Sequence, residues 1–175
     1  MNKLLSNRAV STSLAFLPLV VFMRVSQHYG FTDPGWMRGF LSGSALTVVL
    51  LGLFAAARAR VRDILFASGL LLFSGALAFL AEIGPMLVIY KRFQGSVYML
   101  WYLLVRALFA FSPRLIGGFV YDPYAACPGR AAVFAAAVFG WSLCFSGLLL
   151  SIVLPVILMT GLLYRAESGA ESARR

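Results

Sequence analysis

Three ionisable residues fall within long apolar stretches of this sequence: Arg24, Glu82 and Arg106. A charge at membrane depth is expensive in hydrocarbon, so each is a functional candidate by default. Glu82 and Arg106 lie on consecutive segments expected to run antiparallel. If both face protein, they could form an ion pair or hold a polar ligand between them. A plainer reading competes: Arg24 and Glu82 sit near segment ends and reach the interface, while Arg106 snorkels along its own aliphatic stem. Proton relay by Glu82 would need a chain of acids or histidines. One glutamate and His28, the only histidine, do not make a chain. Nucleophilic catalysis has less behind it, because there is no GxSxG, no HExxH and no paired carboxylate motif. The chain reads as a non-enzyme, with no catalytic residue to name.

The elements that position these charges follow from composition. Of 175 residues, 61% are hydrophobic and 12% charged, against about 45–50% apolar and about 25% charged in a soluble domain. Several long apolar segments produce the excess. The expected fold is therefore all-α, a polytopic transmembrane helical bundle forming one domain over 1–164, with a polar tail over 165–175. The net charge is +9. The basic residues flank apolar segments, which is how membrane proteins set their orientation, so no nucleic-acid partner is expected. Cys127 and Cys144 belong to no CxxC or Cys/His cluster, and neither a metal site nor a cofactor is expected.

Lys3 and Arg8 precede the apolar stretch Leu14 to Met23. That is the polarity of a signal sequence, but no small-x-small cleavage site follows. The first span is expected uncleaved, over Ser11 to Tyr29 with Pro18 inside it. The turn through Asp33-Pro34-Gly35 ends it. A second span is expected over Trp36 to Ala57, then a short basic connection, Arg58 to Asp63, that suits the cytoplasmic side. Asp63 also suits the first turn of the next helix, where the dipole favours an anion. The third span is expected over Asp63 to Ile83, with a Gly84-Pro85 break and a tail to Tyr90. The fourth runs Gly95 to Phe111 and the last Ala131 to Tyr164, broken or kinked at Pro155. That makes about five spans, or six if the last segment is divided. The tyrosines and Trp36 are expected at membrane interfaces as an aromatic belt.

Small residues recur at helical spacing on three spans. Gly39 and Gly43 form a GxxxG. Ser68, Gly75, Ala78 and Glu82 share a stripe that would turn the carboxylate toward protein. Gly140, Cys144, Gly147 and Ser151 form a third stripe. Small residues let helix backbones approach closely. This pattern points to a protein that works through helix–helix contacts, with the lipid bilayer and other membrane proteins or further copies of itself as partners. The rival is a small oligomeric transporter or channel with a polar path at Glu82 and Arg106.

Several pieces, in order, carry a family likeness. They are Leu17-Pro18-Leu19-Val20-Val21-Phe22, the basic turn through Arg62-Asp63, Pro85 followed by Lys91, and Gly95-Ser96 leading into a span. The Ser112-Pro113-Arg114 stop and Phe139-Gly140-Trp141 complete the series. The order resembles the septation protein A family of small bacterial inner-membrane proteins, over most of the chain. The loop Asp122 to Arg130 and the tail depart from it. The resemblance implies a bacterial inner-membrane location and a cell-envelope role, tied to division and wall synthesis through protein contacts. It carries over no catalytic residue.

Overall fold

A computed structural model describes residues 8–93, 95–111, 120–121, 128–144 and 158. Three long helices come first: α1 (Arg8–His28), α2 (Asp33–Ala56) and α3 (Asp63–Leu80). All three are long and apolar enough to cross a membrane. The shortest has 18 residues, about 27 Å of helix, against a hydrocarbon core of about 30 Å. Then come α4 (Gly84–Phe93), α5 (Gly95–Phe111) and α6 (Pro128–Cys144). The last two are shorter apolar helices of 17 residues each. The chain is an all-α helical membrane protein. Among the described residues, the sole strand pairing is β1 (Val61–Arg62) with β2 (Val120–Tyr121), parallel, Val61 opposite Val120.

The helix ends follow from local chemistry. Thr32 caps α2: its hydroxyl accepts from the Gly35 N–H at 3.4 Å, and Pro34 occupies the first turn, where its missing N–H is harmless. The three long helices stop alike. Each passes into a left-handed residue, Gly30, Arg58 or Glu82. The following N–H then reaches back to the helix: Phe31 to the Ser26 carbonyl, Ala59 to Phe54, Ile83 to Ala78. This is the Schellman closure, and its left-handed position usually goes to glycine. The third span therefore ends earlier than hydropathy predicts. Pro85 then opens α4 as a separate helix instead of a tail of α3.

The described residues cluster into two compact units. The first holds α1, α2, α3, α4 up to Arg92, and the strand pair. Here α2 runs antiparallel to both neighbours. Gly39 packs on Phe22 and Ser26 of α1, Gly43 on Pro18 of α1 and Leu72 of α3, and Gly75 of α3 on Phe40. Phe40 is the centre of this packing. Its ring lies 4.6 Å from Phe22, 5.7 Å from Phe79 and 5.4 Å from Tyr90, so α1, α3 and α4 all meet it. Trp36 joins this cluster and is buried. Tyr90 and Tyr98 are likewise buried, whereas Tyr29 is exposed beneath the Arg38 guanidinium.

The second unit holds α5 and α6. They pack antiparallel: the Ser96 hydroxyl, at the start of α5, donates to the Ser142 carbonyl, near the end of α6, at 2.8 Å. The outer face of α5 is a stripe of exposed Leu100, Leu104, Leu108 and Phe111, the spacing of one helix face.

Candidate functional site

The most buried polar cluster of the first unit lies where α3 begins. Asp63 is the first residue of α3 and is wholly buried, at 0% exposure. Its carboxylate sits in the first helical turn, where the dipole favours negative charge. Arg62, the neighbouring cap residue, is also buried, and its Nε donates to the hydroxyl of buried Ser11 at 3.2 Å. The β1–β2 pairing fixes the backbone here, with Val61 and Val120 buried beside it. Adjacent opposite charges keep the local net charge near zero, the condition under which ionised groups tolerate burial. The cluster joins the start of α1 to the start of α3. The sequence placed Asp63 at a helix start and Arg62 in a basic connection, but had no signal for their burial or for Ser11.

Of the three expected intramembrane charges, Arg106 fits best. It is buried in α5, at 2% exposure, with its guanidinium 5.7 Å from the Tyr102 ring and 5.2 Å from the Phe109 ring. Aromatic faces attract a guanidinium, and more strongly where water is excluded. The Arg106 side chain is therefore held among protein side chains. Arg24 is exposed on the last third of α1, consistent with a side chain that reaches the interface.

Glu82 is corrected. It lies beyond the end of α3, in the left-handed turn at φ 50°, and is exposed. It is not on the buried stripe of α3, although Ser68, Gly75 and Ala78 are. The buried carboxylate of the first unit is Asp63.

The small residues divide into two groups. Gly39, Gly43 and Gly75 are at close helix contacts inside the first unit. A Cβ at Gly43 would lie 2.9 Å from Leu72 Cδ2 and 3.1 Å from the Pro18 carbonyl oxygen. At Gly39 it would collide with Ser26 Oγ, and at Gly75 with the Phe40 ring. These glycines are consumed by the chain's own packing. On α6 the opposite holds. Gly140 and Cys144 are exposed, and no described atom approaches a Cβ built at Gly140 within 4 Å. Gly147 and Ser151, the tail over 165–175, Cys127 and most of the loop before α6 lie outside the described residues. Among the described residues, no three of His, Cys, Asp and Glu come together as metal ligands would. Compared with known proteins, the chain matches no family model, no curated protein and no solved structure.

Proposed function

We propose that this chain is a non-enzymatic membrane protein that acts through helix–helix contacts, as an envelope or septation-related factor or an accessory subunit of a larger membrane complex in a bacterial inner membrane. One observation supports this above the others. The close-contact glycines of α2 and α3 already serve the chain's own packing, whereas α6 leaves Ala136, Ala137, Gly140 and Cys144 open on one side. Small residues on an open helix face suit a second helix better than lipid, because they let backbones approach. The exposed Arg58 and Arg60 mark the end of the first unit that would face the cytoplasm.

The test is crosslinking in cells, gentle detergent purification and mass spectrometry of what is recovered. Stoichiometric recovery of other membrane proteins, lost in Gly140→Leu while the protein still inserts, is the expected result. Unchanged association and function in Gly140→Leu would remove the α6 contact from the proposal.

A second reading has one observation in its favour. Arg106 is a cation buried within an apolar helix, the usual signature of a polar path in a small transporter or channel. Loss of flux in proteoliposomes on Arg106→Gln, with normal insertion, would favour this reading. Equal flux would dismiss it.

A further inference from the structure

Only Ala81, Glu82 and Ile83 separate α3 from α4, so α4 starts where a membrane-length helix ends. With 10 residues it is about 15 Å long, half of what a crossing needs. One side of α4 is held to the first unit. Tyr90 is buried, hydrogen-bonded to the Ser74 hydroxyl and edge-on to the Phe40 ring. Lys91 pairs with Asp33, at the start of α2, at 2.7 Å. These contacts fix which side of α4 turns outward.

That outward side is apolar. Val88 is 60% exposed, Ile89 45% and Phe93 41%. Exposed Arg92 lies among them. Leu77 and Leu80, in the last turns of α3, and Ile83, in the connection to α4, are exposed as well. Water would be a poor environment for so many large side chains on so short a helix. A bilayer boundary accepts them.

We propose that α4 lies in the headgroup–acyl boundary of the bilayer, with Val88, Ile89 and Phe93 at shallow acyl depth. The partner is the lipid surface itself, not a second protein. The helix then anchors the outer end of α3 and sets how far that span rises from the membrane. Tyr90 and Lys91 transmit this position to α2 and α3.

The test uses the full chain in vesicles of phosphatidylcholine and phosphatidylglycerol, carrying Cys127→Ser and Cys144→Ser. Val88→Cys, with Ile89→Cys as a second site, is labelled with an environment-sensitive fluorophore. Arg60→Cys, in an exposed loop, is the aqueous control. The proposal expects blue-shifted emission, quenching by lipid spin-labelled near the headgroup, and several-fold less iodide quenching than at the control. Iodide quenching equal to the control would overturn it, placing α4 in water. Protection from both quenchers would also overturn it, because protein and not lipid would then cover this side.

Discussion

The ring of Phe40 fills the space that a side chain on Gly75 would need. This contact joins α2 to α3 at the point where α1 and α4 also meet, through Phe22 and Tyr90. Gly75→Ala is therefore expected to destabilise the first unit by about 1–3 kcal/mol, the usual effect of overpacking. Reversible unfolding in mixed detergent, followed by circular dichroism, measures it. Phe40→Leu alone is also expected to destabilise, but the double variant should lose less than the sum of the two. Contacting residues couple in this way. Simple additivity would show that the two do not share one site.

Glu82 occupies the left-handed position that closes α3. A side chain there opposes the backbone conformation, whereas glycine does not. Glu82→Gly is expected to raise stability by up to about 1 kcal/mol in the same assay. Glu82→Gln should change neither insertion nor any transport activity. Arg58, in the equivalent position after α2, should respond to Arg58→Gly in the same direction. A large loss of stability in either glycine variant would contradict this account of the helix ends.

Arg106 and Arg24 should behave differently. Arg106 is buried between Tyr102 and Phe109, while Arg24 is exposed. Arg106→Gln is expected to destabilise the second unit by about 2 kcal/mol, as desolvated cation–aromatic contacts are lost. Arg24→Gln should stay within about 0.5 kcal/mol of the parent, as surface substitutions do. Thermal melting of the detergent-solubilised variants tests both. Equal shifts would mean that burial does not separate them.

The glycines provide an internal comparison. Gly39→Leu meets Ser26 and Phe22, whereas Gly52→Leu and Gly140→Leu meet open space. Insertion and detergent-extracted yield should fall in the first and hold in the other two. If Gly52→Leu also prevented folding, that exposed face of α2 would have to be packed against a partner in the membrane.

Much of this fold was legible because lipid makes strong demands on sequence. The three long helices follow from apolar length, and the Gly39/Gly43 and Gly75 contacts follow from small residues at helical spacing. The break before α4 was visible in Gly84-Pro85, but the end of α3 was not. Ala81 and Ile83 are as apolar as the helix before them, and the Schellman closure at Glu82 uses a residue with no glycine-like signature. Hydropathy therefore assigned Glu82 to membrane depth. The burial of Arg62, Asp63 and Trp36 was hidden for a different reason. Periodicity identifies faces of one helix and does not say what covers them. A basic connection looks the same whether its arginine ends in water or against Ser11. The open side of α6 was readable as a stripe of small residues, but not as the one left uncovered.

The most direct test of the central claim is photocrosslinking in cells. A benzophenone amino acid replaces Trp141, which is exposed on α6, and buried Val138 serves as the control. A helix-contact function predicts a discrete adduct with another membrane protein, or with a second copy, from position 141 and none from 138. Insertion of both variants with no protein adduct from 141, in cells where the parent chain performs its role, would contradict it.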